Sequence, residues 1–422
     1  MTLLVRAGLL VTGTGGELEN GWILASDGMI AEVGSGPPPA ADEVIDARHC
    51  VAMPGLVNAH DHMYQWATRG YVPDGTLFEW LRALYPVWAG IDADTVRVAA
   101  RAAMAHLLLS GCTLSTDHHY VFPHGRAGIF EALVETAREL GLRFHPCRGS
   151  MSLGESNGGL PPDTVVEDED AILAHTEAMI DRFHDPMPGS MCRVVVAPCS
   201  PFSVTPELMR DSASLARRRG VRLHTHLAET LDEERFCLEK FGRRPVELME
   251  DQGWIGDDVW YAHGVHLNDA EVDRIAEVKT GIAHCPSSNM RLGAGACRVE
   301  DLVRGGRGWG WAWTARQATK TPTSRWRRIR PCCSLACGAP RRARWTRAPR
   351  GGWRRRVGPS ASAARTAARS SQANARTSRA SASTTWPMPA SKTSSRDSRS
   401  RRPPELRPSS STGGSSCATG SC

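Results

Sequence analysis

Between residues 56 and 304, apolar runs of strand length alternate with stretches whose apolar residues recur every three or four positions. The runs are MPGLVNAH, CTLSTDHH, LRFHPCRGSM, RVVVAPCS, RLHTHLAE, VWYAHGVHL and TGIAHCPSS. Between them lie segments such as DTVRVAARAAMAHLLLSG, GIFEALVETARELG, DAILAHTEAMIDRFH, ELMRDSASLARRRG and DAEVDRIAEV, which read as amphipathic helices, several stopped by Gly. Near-continuous apolar strands separated by helices predict a parallel sheet covered on its outside. Seven such units are one short of an eight-stranded barrel. Ahead of them, LLVRAGLLVTG, GWILASDGMIAEVG and EVIDARHCVAMPG are short apolar runs broken by Gly and Asp-Gly, and they predict hairpins in a small sheet before residue 55.

The rhythm stops near residue 304, and composition changes with it. Residues 1–304 hold 26 Lys and Arg against 43 Asp and Glu, a balance of −17. Residues 305–422 hold 25 against two, Asp397 and Glu405, a balance of +23. That segment has no His, Phe or Tyr, and its only Ile, Leu or Val residues are Ile329, Leu335, Val357 and Leu406. So few apolar residues cannot offset the entropy of ordering, so a basic, disordered, irregular tail is expected there. Thirteen cysteines without paired spacing read as reduced thiols of a cytoplasmic protein. MTLLVRAGLLVTGTGG reads as a strand and turn rather than a signal peptide, and no run reaches the ~18 apolar residues of a membrane span.

Candidate chemistry sits at the C-terminal ends of the predicted strands, where barrel active sites lie. The first run ends in His60-Asp61-His62, the fifth carries His224-Thr225-His226 and then Glu229, the sixth His263 and His266, and the seventh His284-Cys285. Residues i and i+2 of a strand point the same way, so a His-x-His pair converges two imidazoles on one point, as a metal ion requires. Tyr64, Trp66 and Trp88 are aromatic surfaces suited to a flat heterocycle.

MPGLVNAHDHMYQ, HTHLAET, YAHGVHL and AHCPSSNMRLGAG together resemble the amidohydrolase superfamily, in its purine and triazine deaminase branch. HDHMYQWATRG, LYPVWAG, STDHHYVFP and GGLPPD are most similar to 8-oxoguanine deaminases and hydroxydechloroatrazine ethylaminohydrolases. The resemblance implies a (β/α)8-type metal-dependent hydrolase barrel over residues 56–304, with seven units present and the eighth strand lost. It implies a partial β-sandwich over residues 1–55 that lacks its C-terminal strands. It further implies that His60, His62 and His226 ligate one divalent metal, Zn²⁺ or Fe²⁺, with Glu229 as proton shuttle and His263 orienting the attacking water. Gln65 and Trp88 are expected to contact substrate. The activity implied is deamination of an 8-oxoguanine-like purine, with hydroxytriazine hydrolysis as the alternative. The partners expected are a small heterocycle and possible further copies of the chain, with no specific nucleic acid and no membrane.

In that family an Asp ends the eighth strand, and here the text GWGWAWT stands instead (residues 308–314). Trp has the single codon TGG. Read one base earlier, each Trp codon becomes NTG, and the segment becomes [LMV]-Gly-[LMV]-Gly-[LMV]-Asp whatever codons were used. That is an apolar strand ending in Asp at position 314. Residues 305–422 are therefore read as non-native, the product of a one-base frameshift near residues 304–308. No Asp lies between Asp301 and Asp397, so severely reduced activity is expected of this chain. Non-specific nucleic-acid binding by the basic tail of an inactive remnant is the reading from another class.

Overall fold

The computed structural model describes residues 1–304 and the backbone of Trp309–Trp311, Trp345–Arg347 and Trp353–Arg355. The chain divides into two units, Met1–Ala343 and Arg344–Cys422. In the first, five strands form an N-terminal sheet: β1 (Thr2–Val11), β2 (Glu17–Glu19), β3 (Gly21–Ser26), β4 (Met29–Ser35) and β5 (Glu43–Ala52). β1 is central, antiparallel to β2 and β3 and parallel to β5. Asn20 and Asp27 adopt positive φ at the tight turns either side of β3, a conformation that short polar side chains tolerate better than most. Ile30 and Val33 on β4 and Val44, Ile45 and Val51 on β5 are exposed.

The second sheet is parallel throughout. It runs in chain order from β6 (Leu56–Asn58) through β7 (Cys112–His119), β8 (Arg143–Ser150), β9 (Val195–Pro198), β10 (Arg222–Leu227), β11 (Val259–His263) and β12 (Gly281–His284) to β13 (Trp309–Trp311). The seven predicted strands are all present. The eighth, expected to be lost, exists as a three-residue stub: Ile282 pairs with Trp309 and His284 with Trp311, so the outer edge of β12 is paired rather than open. The tryptophans of GWGWAWT alternate in period two, which suffices for a strand backbone. The segment supplies no carboxylate. In the second unit, Trp345–Arg347 (β14) and Trp353–Arg355 (β15) form an antiparallel pair. Irregular backbone is therefore not found throughout residues 305–422; the disorder expected there otherwise falls outside the described residues.

The helices are α1 (Leu77–Trp88), α2 (Ala93–Leu109), α3 (Ile129–Leu140), α4 (Glu169–Phe183), α5 (Pro206–Arg219), α6 (Leu231–Phe241), α7 (Pro245–Asp251), α8 (Asp269–Glu277), α9 (Pro286–Arg291) and α10 (Val299–Arg304). Their ends are written locally. Thr205 accepts from Leu208 N to start α5, Pro206 occupies its first turn, and Gly220 at φ 66° ends it behind Arg217–Arg219. Helix α8 begins in a reciprocal Asn268–Glu271 capping box. One core of buried Leu, Val, Ile, Met and aromatic side chains joins the strands to these helices. Across the barrel interior, Trp260 Nε1 on β11 donates to the Ala59 carbonyl at 3.1 Å, tying the sixth unit to the first. The eight described cysteines form no disulfide among the described residues, and no helix among the described residues is long and apolar enough to cross a membrane.

Candidate metal centre

Two strand ends carry histidines at alternate positions, and both members of each pair face the barrel interior. His60 and His62 follow β6; His224 and His226 lie on β10. All four are buried. Their tautomers follow from their neighbours, because a carbonyl oxygen can only accept. His62 Nδ1 donates to the His118 carbonyl at 2.6 Å, and His226 Nδ1 to the Cys199 carbonyl at 2.7 Å. His224 Nδ1 donates to the Trp260 carbonyl at 2.9 Å. Its Nε2 is then the acceptor for His60 Nδ1, 2.7 Å away.

The lone pairs of His60, His62 and His226 thus all sit on Nε2. Those of His62 and His226 face each other at 3.0 Å, and that of His60 has no hydrogen-bond partner. Burial keeps the rings neutral: it pulls His62 down to about 3 and holds His60 and His226 well below the usual imidazole value. Neutral lone pairs so close repel unless a cation lies among them. Nitrogens about 3.3 Å apart are what tetrahedral Zn²⁺ with Zn–N near 2.0–2.1 Å demands. The donor set therefore fits a divalent metal. His118 joins this set, since the donor atoms of His60, His62, His118 and His226 all lie within 4.8 Å of one another.

Beside the imidazoles stands a buried carboxyl. Glu229 is pushed up to about 8 by burial, so at neutral pH it carries a proton. His263 Nδ1 lies 3.2 Å from Glu229 Oε1 and 2.9 Å from Asn289 Oδ1, and the hydrogen bond goes to Asn289. The backbone bends sharply to deliver both groups: Ala228 has φ 52° and His263 φ 78°. Such non-glycine conformations cost ~1–3 kcal/mol and persist where the surroundings enforce them. At Ala228 the enforcing group is Glu233, whose two oxygens accept from Ala228 N at 2.7 Å and Glu229 N at 2.9 Å. Burial pushes Glu233 up to about 7 against the pull of those bonds.

His62, His226, Glu229, His263 and Gln65 open onto one cavity of about 580 Å³, mouth included, walled by Trp80, Tyr85, Tyr120 and Phe202. Of the residues singled out from sequence, His60, His62, His226, Glu229, His263 and Gln65 come together here. Trp88 does not line the cavity: it is fully buried, donates from Nε1 to Thr68 Oγ1 at 3.1 Å and packs edge-on against Trp80 and Tyr64. Tyr64 and Trp66 are also absent from the cavity wall, and His266 turns away to the Ala294 carbonyl at 2.8 Å. Sequence reasoning missed Glu233, Asn289, Trp80 and the place of His118. His118 was visible as a strand-end histidine in STDHHYVFP, whereas the position of Glu233, four residues beyond Glu229, carried no distinguishing signal.

Residues 51–307 match the amidohydrolase family. Over 291 residues the chain is 49% identical to the 8-oxoguanine deaminase of Pseudomonas aeruginosa, covering 68% of this chain and 65% of that protein. Over 310 residues it is 39% identical to the hydroxydechloroatrazine ethylaminohydrolase of Pseudomonas sp. (strain ADP), covering 72% and 62%. The match thus spans less than two thirds of the length of these curated relatives. Among solved structures, the atrazine chlorohydrolase of Arthrobacter aurescens TC1 complexed with zinc superposes with a TM-score of 0.72 at 33% identity, over 75% of this chain and 72% of that one.

Proposed function

The chain belongs to the amidohydrolase family, and from that premise we propose that it is a metal-dependent hydrolase that removes the exocyclic amine of an aromatic N-heterocycle, an 8-oxoguanine-like purine. The observation that carries this reading is a protonated, buried Glu229 in the same cavity as three Nε2 lone pairs. His60, His62 and His226 would hold the cation, Zn²⁺ or Fe²⁺. When bound, such an ion acidifies water from a pKa of 15.7 to about 7 and so supplies a nucleophile at neutral pH.

The chain's own residues do the rest. His263, its Nδ1–H turned toward Asn289, presents Nε2 as an acceptor that orients the attacking water. As oxygen adds to the amino-bearing carbon, electrons move onto the adjacent ring nitrogen. Glu229 delivers its proton there. The resulting carboxylate takes the proton released by the attacking oxygen and passes it to the amine, which leaves as ammonia. Gln65 reaches the heterocycle with an amide that can both donate and accept, and Trp80, Tyr120 and Phe202 supply flat apolar walls.

The 49% identity to an 8-oxoguanine deaminase favours the purine over the triazine. Ammonia release from 8-oxoguanine, guanine, isocytosine and hydroxytriazines tests this, on the chain as it stands and on one with the reading frame restored upstream of Trp309. The restored chain should act fastest on 8-oxoguanine, and the chain as it stands should be slower because it lacks the eighth-strand Asp. A restored chain inert toward purines and active on hydroxytriazines would overturn the purine assignment.

A further inference from the structure

We propose that His118 is a fourth protein ligand of the cation, binding through Nδ1, so that four imidazoles hold the metal in this chain. The inference rests on reading the site as a metal centre and concerns how this chain completes it without a carboxylate from its last barrel strand.

His118 is the penultimate residue of β7 and is completely buried. Its Nε2 donates to the Ala197 carbonyl at 2.7 Å, which leaves the lone pair on Nδ1, and that atom has no hydrogen-bond partner. This repeats the arrangement of the other three rings. Each donates one ring N–H to an oxygen or nitrogen of the protein and turns its lone pair toward the others, the pattern by which outer contacts fix a metal-binding tautomer. The His118 ring stacks on His226 with centroids 4.6 Å apart and planes 21° apart, so the two present nitrogens to the same space. Its backbone serves the centre too, since the His118 carbonyl fixes His62.

His119, its neighbour, supplies the internal contrast. It is also fully buried, with Nε2 donating to the Val121 carbonyl at 2.8 Å and Nδ1 without a partner. Yet period-two geometry turns it to the opposite face, among Tyr64 and Phe122, and it does not join the convergent group. A ring nitrogen without a hydrogen-bond partner is therefore not the argument; the convergence of four imidazoles on one point is. A carboxylate from the eighth strand is not available, because no Asp or Glu lies between Asp301 and Asp397. Imidazole is the ligand type that suits Zn²⁺, Fe²⁺ and Co²⁺ without one.

The test uses the full chain and the metals Zn²⁺ and Co²⁺ alone. X-ray absorption of the Zn²⁺-loaded chain counts the imidazoles around the ion: four are expected, and three would overturn the proposal. Competition against a chromophoric chelator should show Co²⁺ affinity falling by roughly 10–100-fold or more in His118→Gln, with a changed visible spectrum, while His119→Gln stays within about twofold. Far-UV circular dichroism of the metal-free proteins checks that each variant folds; should His118→Gln not fold, the absorption count decides alone. Unchanged affinity and spectrum in a folded His118→Gln would overturn the proposal. Failure of the unmodified chain to bind either metal would instead overturn the reading of the site as a metal centre.

Discussion

Two clusters of buried polar side chains sit at the C-terminal ends of the barrel strands, and they are built on opposite principles. On β8, Arg148 is 1% exposed. Its guanidinium donates to Glu167 at 2.7 and 3.1 Å, to His175 Nδ1 at 2.9 Å and to the Gly149 carbonyl, and lies over the Phe122 ring. Each partner is spoken for. After β6 and on β7 and β10 the four imidazoles each donate one ring N–H to the protein and turn the other nitrogen toward the group. A buried charge fully enclosed by partners holds helices to strands. Buried lone pairs that converge on one point suit a cation. Burial alone does not separate the two; the convergence of donor atoms does.

The largest effect should come from removing a convergent lone pair. His62→Ala takes away one of the two Nε2 atoms facing each other at 3.0 Å. Metal content by mass spectrometry should fall well below one ion per chain, and ammonia release by ~10³-fold or more, since Lewis-acid stabilisation amounts to several kcal/mol. The metal-free protein should melt no lower than its parent, because a repulsive contact has been relieved. A lower melting point with full metal content would reverse the assignment of the two clusters.

Next comes Glu229→Gln, which keeps shape and hydrogen-bonding but cannot shuttle a proton. Turnover should drop ~10²–10⁴-fold with metal content unchanged. Because the carboxyl is raised to about 8 by burial and acts protonated, activity should decline as pH rises through that value. Stability should move the same way. Glu229 at about 8 and Glu233 at about 7 lie above the usual carboxyl value of 4.5, so the folded chain binds more protons than the unfolded one between those limits. Their contribution is complete below about 4.5 and is lost as pH rises through about 7 and 8. Melting temperature plotted against pH should therefore fall less steeply in Glu229→Gln than in its parent.

Arg148→Leu sharpens the contrast from the other side. Removing one partner of a buried pair strands Glu167 and costs ~3–5 kcal/mol. Urea unfolding should show that loss while the metal-loaded fraction of folded protein stays as before. Metal lost in proportion to nothing but Arg148 would mean that the two clusters are one.

Much of this was legible along the chain. Strand ends were readable because clusters of histidine and acid, His60-Asp61-His62 and His224 to Glu229, close the apolar runs. His60, His62 and His226 were readable because period two is rigid. What failed was phase. Trp80 and Trp88 are both aromatic residues of α1, but eight residues turn a 3.6-residue helix by about 80° beyond two full turns, so one walls the cavity and the other is packed behind it. The helix itself escaped notice because Pro86 lies inside it. Glu233 was hidden for another reason: its role is to hold backbone, and nothing in its spacing distinguishes an acid bonding two amides from one facing water.

The smallest effect expected is the most direct check on the principle. Arg97 on α2 and Glu135 on α3 form an ion pair at 3.1 Å, equal to the longer of the two Arg148–Glu167 contacts, yet both side chains are about a third or more exposed. Water solvates either partner when the other is removed, so no stranded charge remains. Arg97→Ala should therefore change unfolding free energy by less than ~1 kcal/mol, and that difference should shrink further at high salt. If distance governed, Arg97→Ala and Arg148→Leu would cost alike. If partnership under burial governs, as the two clusters argue, urea midpoints for the two variants will differ severalfold in their displacement from the parent chain.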